Sequence, residues 1–440
     1  MAAVLGPRGL SPLVVAALVA ACSWTRFDDV SEDAPVLLLE KPDGVGSGFG
    51  SSVAVAVAGG NHRLFVGSAP GNNGGAEFEL GGGQGASKDA ARGGHCDVGC
   101  TLAKTAAAMP KATLEGQPRT LCFAEGWGAG GIQVQCEAGE AAFLSSLAAP
   151  AGVQVDEPGK QLSIVAQRPK RGAPNQPVGE LSPVVAAGAT SLANGPGAAW
   201  FYPAGSQQPT ALDAGTVGPT YGAALTVFEA KGQLFIAVGE PGASRVHVFD
   251  ATGALARCLS SSAAGFGRTL GSGPVTADDA SDELLVATDA EVHVIAGATF
   301  EGAASPACQE VAPIVALKCR STGDLDGCGG SEFGAALAVA DLDQNGDGEV
   351  LVGAPGMDVR EESGAGAVFV FDVAKEHPDW VLETRFISSA ESGDRLGTAL
   401  AVVPQDDRDI FVAGAPGNGK AAVFYCSRLL PSSKRGARCN

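Results

Sequence analysis

The sequence contains few aromatic and few basic residues. Phe, Trp and Tyr make up 6% of the 440 residues, whereas glycine occurs 63 times and apolar residues reach 45%, which indicates many short strands and tight turns rather than disorder. The 29 basic residues are outnumbered by 48 acidic ones, so the net charge is −19. We therefore expect no nucleic acid or anionic membrane surface as a partner, because both require a basic face. An acidic protein of this kind suits cation binding.

Recognised catalytic motifs are also missing from the sequence. It contains neither Gly-x-Ser-x-Gly nor His-Glu-x-x-His, and paired acids occur only in expected turns. Residues 414–420 have the spacing of a phosphate-binding loop, but Ala421 stands where a Ser or Thr would bind magnesium. His247 and His293 lie on corresponding expected strands, and we interpret them as strand-face residues rather than a shared metal site. The sequence therefore predicts no catalytic centre.

The amino terminus has the features of an export signal. An apolar run at residues 13–21 follows Arg8 and is too short to span a bilayer as a helix. The small residues before Cys22 resemble the lipobox of bacterial lipoproteins, which implies a leader at 1–21, lipidation of Cys22 and a linker at 22–34. We expect an exported protein of the cell envelope, either an outer-membrane lipoprotein or a secreted protein, that contacts membrane only through this anchor. An ordinary secretory leader or a short N-terminal anchor is the alternative.

The cysteine count agrees with export. Apart from Cys22, ten cysteines form an even set, which in an exported chain predicts disulfides. Zinc held by His95, Cys96 and Cys100 is the alternative for one pair, although so few ligands do not close a tetrahedral site. Closeness in sequence favours four pairs and leaves a fifth by elimination: Cys96–Cys100, Cys122–Cys136, Cys319–Cys328 and Cys426–Cys439, then Cys258–Cys308.

Internal repeats are the most informative feature of the sequence. Four segments share an aromatic residue or Leu before a marker glycine, two apolar strands around a polar turn, a second glycine with a nearby proline, and a third strand: residues 48–80, 220–250, 332–372 and 395–425. The two glycines are 17 residues apart in three segments and 19 apart, Gly334 to Gly353, in the third. Weaker copies are expected at 265–294, 177–203 and 121–168. An inserted loop at about 81–120 and a tail at 427–440 complete the chain.

Two short motifs carry a resemblance to a known family. Phe333-Gly334 and Gly353-Ala354-Pro355 match the FG-GAP repeat of integrin α chains, and the likeness extends over most of residues 35–426. It implies an all-β fold, a seven-bladed β-propeller of FG-GAP repeats, in which an N-terminal strand commonly completes the last blade. We therefore expect the strand at 36–40 to pair with the blade that ends near Tyr425. A β-helix or a row of β-sandwiches is the alternative, but marker spacings of 45, 67 and 63 residues suit four-stranded blades.

The long turn of the third segment has oxygen-bearing side chains at alternate positions, which suits a hard cation such as Ca²⁺. By resemblance to FG-GAP calcium loops, Asp341, Asp343, Asn345 and Glu349 would bind Ca²⁺ through side chains and Asp347 through its backbone carbonyl. Glu349 departs from the family, which usually has Asp there. A solvated turn without metal is the alternative. The turn at 276–283 is acidic but lacks the central glycine, and the turns at 405–409 and 59–62 are expected to be plain hairpins.

The function predicted from these features is a calcium-binding scaffold for binding or adhesion at the cell envelope. Its partner would be an unknown protein or glycan ligand at the cell surface, because loops on one face of a propeller form the usual ligand platform. Two alternatives stay open. One is a secreted propeller enzyme, a lyase or hydrolase, that acts on polysaccharide, and the other is an envelope scaffold that binds other proteins.

Overall fold

The structure is a computed structural model, and the strands that it describes extend from Val36 to Phe424. The described residues are 36–58, 61–68, 75–80, 92–93, 101–102, 121–126, 131–138, 141–148, 161–167, 182–190, 195–203, 206, 208–276, 281–300, 302, 305–320, 325–326, 328–342, 347–359, 361–373, 381–386, 391–403 and 409–424. The expected leader, linker and C-terminal tail lie outside these residues, as do Cys22, Cys96, Cys100, Cys426 and Cys439.

The described residues form short strands and a few 3-10 turns. Strands β1 to β31 are, in chain order, Val36–Glu40, Ser52–Ala58, Asn61–Gly67, Gly75–Leu80, Arg92–Gly93, Thr101–Leu102, Leu121–Gly126, Gly131–Ala138, Ala141–Ala148, Gln161–Gln167, Ser182–Ala189, Ala198–Tyr202, Thr210–Ala211, Ala224–Ala230, Gln233–Glu240, Arg245–Asp250, Leu255–Ser260, Thr269–Gly273, Glu283–Ala287, Glu291–Ile295, Ser305–Glu310, Val315–Lys318, Leu325–Asp326, Leu337–Ala340, Glu349–Ala354, Asp358–Val359, Ala367–Val373, Val381–Phe386, Leu400–Val403, Ile410–Ala415 and Lys420–Phe424. The 3-10 turns are Pro241–Ala243, Gly297–Phe300, Cys328–Gly330 and Pro416–Asn418. Across the described ranges, no helix has the length and apolar character needed to cross a membrane.

The fold is all-β, as expected, and the strands form seven sheets of four or five strands each. We number the sheets in chain order: I (β2-β3-β4-β5), II (β6-β7-β8-β9), III (β10-β11-β12-β13), IV (β14-β15-β16-β17-β21), V (β18-β19-β20-β22), VI (β24-β25-β27-β28) and VII (β29-β30-β31-β1). A further pair, β23 and β26, lies between loops next to sheet VI. The first three strands of each repeat form an antiparallel meander, so each sheet is built mainly from one segment of sequence.

Successive sheets lie side by side through one strand each. Strand β2 lies beside β7, β7 beside β10, β10 beside β14, β14 beside β18, β18 beside β24 and β24 beside β29. Strand β29 also lies beside β2, and a buried apolar cluster combines Ala401 and Val412 of sheet VII with Val53 of sheet I. The last sheet in the sequence therefore packs against the first.

The N-terminal strand belongs to the last sheet. β1 pairs antiparallel with β31, with Val36 opposite Phe424 and Glu40 opposite Lys420. This confirms the prediction that residues 36–40 complete the blade formed by the end of the chain. The pairing joins the two ends of the described chain and covers the edge of β31 that would otherwise be unpaired.

The boundaries predicted for the weaker repeats were partly wrong. A repeat does lie within residues 121–168, as β7, β8 and β9 of sheet II, but the last strand of this range, β10, pairs with β11 over its full length, Gln161 to Gln167, in sheet III. Sheet III accordingly extends well beyond the expected 177–203. The expected insertion at 81–120 also contributes two short strands, β5 to sheet I and β6 to sheet II.

The marker glycines have a conformation and an environment that exclude other residues. Their φ angles are positive, 98° at Gly50 and 91° at Gly334, a region that residues with a Cβ atom rarely adopt. The Gly334 N–H donates to the carbonyl of Gly353 over 2.9 Å within sheet VI. A Cβ atom on Gly414 of sheet VII would lie 1.9 Å from the Gly50 carbonyl oxygen of sheet I. The regular glycine spacing thus reflects one hydrogen bond within each repeat and one close backbone contact between repeats.

The aromatic residue before the marker glycine packs on the third strand of its own sheet. Phe333 contacts Phe369 edge-on with ring centroids 5.3 Å apart, and Phe49 contacts Phe78 at 6.2 Å. All four rings are buried. Each aromatic therefore covers the end of its own sheet, and its burial favours folding by about 2 kcal/mol or more per side chain.

Candidate metal site

The turn between β24 and β25 contains the predicted metal ligands. Asp341 and Glu349, at its two ends, are only 5% and 2% exposed, and Asp347 is half-buried. Asp343 and Asn345 lie outside the described residues. Carboxylate oxygens are the donors that Ca²⁺ prefers, so the donor set fits this ion. Among the described residues no three His, Cys, Asp or Glu side chains form a group that could hold a metal, so a complete site requires oxygens from residues 343–346.

Glu349 joins the two ends of this turn. It begins β25, and its Oε2 atom accepts the backbone N–H of Leu342 over 2.6 Å. A carboxylate has two oxygens and about four lone pairs, so this bond and metal binding are compatible. The structure therefore adds a turn-closing role to the one expected from sequence.

Both neighbouring sheets donate or accept hydrogen bonds at this turn. On one side, Asp409 of sheet VII donates its N–H to the Asp341 carbonyl over 3.0 Å, and Asp409 Oδ2 accepts the Asp341 N–H over 3.1 Å. On the other side, Gly348 donates its N–H to the Pro274 carbonyl of sheet V over 2.8 Å. A Cβ atom on Gly348 would lie 2.6 Å from that oxygen, so only glycine fits. The turn is thus fixed from both sides.

The corresponding turn of sheet V, between β18 and β19, is closed in a similar way by a glutamate but does not have the same alternation of acids. Glu283 begins β19 as Glu349 begins β25, and its carboxylate accepts the N–H groups of Val275 and Thr276 and the Thr276 hydroxyl, over 2.8 to 3.2 Å. Glu283 is 3% exposed. The acidic turn singled out at 276–283 therefore has its terminal acid engaged by the turn itself.

Asp282 makes the same link to a neighbouring sheet as Asp409. It donates its N–H to the Glu229 carbonyl over 2.8 Å, and its Oδ2 accepts the Glu229 N–H over 3.0 Å. Ser281 Oγ accepts the N–H of Lys231, a residue with a φ of 47°. Burial raises the pKa of the Asp282 carboxyl from 3.8 to about 7. Sequence reasoning missed this role, although an acid directly before the second strand in two repeats was a usable signal.

His247 and His293 occupy the position that Phe369 occupies in sheet VI. His247 lies edge-on to Tyr221 at 5.4 Å, and its Nε2 atom is 2.9 Å from Oε2 of Glu240. Burial lowers the pKa of His247. His293 instead contacts Glu291, with 2.6 Å between Nε2 and Oε1. The two histidines thus have separate carboxylate partners on their own sheets, consistent with strand-face residues.

Two disulfides lie within the described residues and match expected pairings. Cys258–Cys308 joins β17 to β21, which run parallel at the outer edge of sheet IV, and Cys319–Cys328 closes a loop before sheet VI. Cys122 and Cys136 lie opposite each other on β7 and β8, which is the backbone register that their expected pairing requires. The remaining pairs, Cys96–Cys100 and Cys426–Cys439, and the zinc alternative at His95 fall on residues that the structure does not describe.

Loops at the opposite end of sheets VI and VII are joined by polar contacts. Asp394 is 1% exposed and accepts hydrogen bonds from the Glu391 N–H and the Asn418 side chain. Lys420 Nζ lies 3.0 Å from Glu391 Oε2. Farther out, Glu362 accepts the N–H and hydroxyl of Ser392. These contacts order a loop surface at the end of β25, away from the turn at 341–349 that contains the predicted metal ligands and that we call the metal turn.

Comparisons with known proteins agree with the repeat pattern. The FG-GAP repeat family matches residues 333–371, which contain the turn at 341–349 with the predicted metal ligands. Integrin alpha-7 of Homo sapiens is 36% identical over 104 residues, 22% of this chain and 9% of that protein. Integrin alpha-3 of Mus musculus is 31% identical over 137 residues, 28% of this chain and 13% of that protein. The matched regions thus span about a tenth of these relatives.

Solved structures with a similar arrangement of strands include two with low sequence identity. The propeller of Dos1 is 12% identical, with a TM-score of 0.43, and the match covers 82% of this chain and 75% of that one. U3-55K is 9% identical, with a TM-score of 0.47, and the match covers 89% of this chain and 98% of that one.

Proposed function

We propose that the protein is a calcium-binding β-propeller that serves as a scaffold for binding or adhesion outside the cell. The observation that supports this most directly is the FG-GAP repeat at 333–371, whose first turn carries Asp341, Asp347 and Glu349. The likeness to integrin α chains supports a binding role rather than catalysis. Because fold alone does not determine function, the proposal also depends on the surface that the loops form.

In this proposal the seven sheets are the seven blades of a closed ring. The contact of β29 with β2 supports closure, because it joins the last sheet to the first through the same kind of contact that joins the other neighbouring sheets. The pairing of β1 with β31 supports it further, because it places the N-terminal strand in the last sheet. A closed ring places the turns between first and second strands on one face and the loops after the second strands on the other. The metal turn and the Asp394 loop surface then lie on opposite faces.

In this proposal Asp341, Asp343, Asn345 and Glu349 bind Ca²⁺ through side chains, and Asp347 binds through its carbonyl. The ion supplies positive charge among acids that would otherwise repel one another. Burial of Asp341 and Glu349 supports the assignment, since buried carboxylates require a compensating charge or hydrogen bonds. Leu342 and Gly348 then shape the turn around the ion, one through its bond to Glu349 and the other through its bond to Pro274.

The ligand would be a protein or glycan that contacts the loop surface around Asp394, Asn418 and Glu362. Purified residues 23–440 on a glycan array, and in pull-down from surface extracts, would identify it. We expect retention of a defined ligand that is lost when Asn418 and Glu362 are replaced by alanine, because both side chains fix neighbouring loops. No retained ligand in either format would contradict a binding role.

The alternative function is a secreted enzyme that cleaves polysaccharide. It predicts release of reducing ends or unsaturated sugars from polysaccharides incubated with the protein. Such release, proportional to enzyme concentration and absent after heat treatment, would favour the enzyme over the scaffold. The Cys258–Cys308 disulfide of sheet IV agrees with an extracellular location in both cases.

We also propose that Cys22 carries a lipid that anchors the protein at the cell envelope. The proposal rests on the leader-like sequence before Cys22. Cys22→Ser should release the protein from the membrane fraction or leave the leader uncleaved. Metabolic labelling with a palmitate analogue is the direct measurement, and equal labelling of the wild type and the variant would rule out lipidation at this residue.

A further inference from the structure

The first residue of the metal turn is held by a residue from the next sheet. Both backbone groups of Asp341 are bonded to Asp409: its carbonyl accepts the Asp409 N–H over 3.0 Å, and its N–H donates to Asp409 Oδ2 over 3.1 Å. This ring of two hydrogen bonds fixes the position of the Asp341 backbone. Asp409 lies directly before β30, the second strand of sheet VII.

The same ring occurs once more among the described residues, between sheets V and IV. Asp282 stands directly before β19 and bonds both backbone groups of Glu229. Glu229 lies within β14, and its hairpin closes with Lys231 and Gly232 rather than with an acidic loop. The same pair of hydrogen bonds thus connects neighbouring sheets at two places. At one of them, Asp341, the bonded residue is a candidate metal ligand.

We infer that Asp409 is a positioning residue that couples calcium binding in the 341–349 turn to the contact between sheets VI and VII. This inference rests on the proposed calcium site. Asp409 accepts the N–H of Asp341. It thereby fixes the backbone position from which the Asp341 side chain extends. Residues that orient a metal ligand in this way commonly change metal affinity when they are replaced.

The coupling must act in both directions, because linkage between two equilibria is reciprocal. Calcium that fixes Asp341 also fixes the two hydrogen bonds to Asp409 and hence the start of β30. Val412 and Phe411 of β30 are buried, Phe411 against sheet VI and Val412 against sheet I. Calcium in one turn therefore strengthens the part of the molecule where the first and last sheets meet.

The test compares calcium binding by isothermal titration in the full chain. Asp409→Ala removes the carboxylate acceptor and should weaken calcium binding by about 10- to 100-fold, as is typical for groups that orient metal ligands. Asp409→Asn keeps a side-chain oxygen at the same place and should bind within about threefold of wild type, since an amide oxygen still accepts the Asp341 N–H. The matched control is Asp282→Ala, which breaks the equivalent ring away from the metal turn and should leave calcium affinity unchanged.

A second readout is amide hydrogen exchange of residues 410–415. In the wild type and in Asp409→Asn, calcium should slow exchange in this strand, whereas in Asp409→Ala the calcium effect should be lost. If the wild type binds no calcium, both the calcium proposal and this inference are wrong. If the wild type binds calcium and Asp409→Ala binds it equally tightly with the same protection of β30, the inference alone is overturned.

Discussion

The turns of sheets V and VI are closed by the same type of hydrogen bond but contain different side chains. Each ends in a buried glutamate, Glu283 or Glu349, that begins the second strand and accepts an N–H group seven residues earlier, from Thr276 or Leu342. The two turns differ at the positions two, four, six and eight residues before the glutamate. In sheet VI these positions are acids or Asn, whereas in sheet V they are mainly uncharged: Val275, Ala277, Asp279 and Ser281. Thr276 also gives the glutamate a hydroxyl, which Leu342 cannot.

This difference shows how one repeat can keep its shape while it gains or loses a metal site. In sheet V the turn satisfies its own glutamate with two N–H groups and a hydroxyl, so no ion is needed. In sheet VI the sequence of the turn contains Asp341, Asp343, Asp347 and Glu349, whose mutual repulsion a bound cation would offset in the proposed site. The glutamate is common to both and therefore belongs to the fold, whereas the alternating acids belong to the proposed site.

The largest effect expected from this comparison is the loss of Glu283. Glu283→Ala leaves buried donors of Val275 and Thr276 without their acceptor and should lower the free energy of unfolding by about 3 kcal/mol. Urea unfolding measures it, and the loss should be the same in EDTA and in calcium. Thr276→Val, which removes only the hydroxyl, is the graded control and should cost about 1 kcal/mol. Glu349→Ala should instead cost more in calcium than in EDTA, and equal losses in the two buffers would contradict the distinction between the turns.

A pH-dependent effect concerns Asp282, whose position is taken by Gly348 in sheet VI. Burial raises the pKa of the Asp282 carboxyl from 3.8 to about 7, so between these pH values the folded state keeps a proton that the unfolded state has lost. The free energy of unfolding therefore falls as the pH rises from about 4 to about 7. Asp282→Asn, which stays neutral and can still accept the Glu229 N–H, should lose this part of the slope. Unfolding curves with the same pH slope in both proteins would show that Asp282 does not titrate in this range.

Much of the fold could be predicted from the sequence because its rules are local. The spacing of Gly334 and Gly353 reflects a hydrogen bond within one sheet. The pairing of residues 36–40 with the end of the chain is not local, and it was expected only from the resemblance to FG-GAP repeats. The sequence did not show that residues 161–167 begin sheet III, because that segment carries no marker glycine. Without a marker, strand pairing depends on contacts that one sequence does not display.

The candidate site was predictable only in part, for a similar physical reason. Asp341 and Glu349 were found because alternating acids in one turn are visible in the sequence. The bond from Leu342 to Glu349 and the links to Asp409 and Pro274 were not found, because they involve backbone groups or neighbouring sheets. Such contacts depend on how the sheets pack, not on the residues of the turn.

Thermal unfolding in EDTA and in millimolar calcium tests the calcium site most directly. Calcium should stabilise the wild type by about 2.7 kcal/mol at one hundred times its dissociation constant, since an ion that binds only the folded state shifts unfolding by mass action. Asp341→Ala and Asp343→Ala should abolish this gain, whereas Asp406→Ala, in the turn before β30, should keep it. A wild type that melts at the same temperature in both buffers would contradict the account.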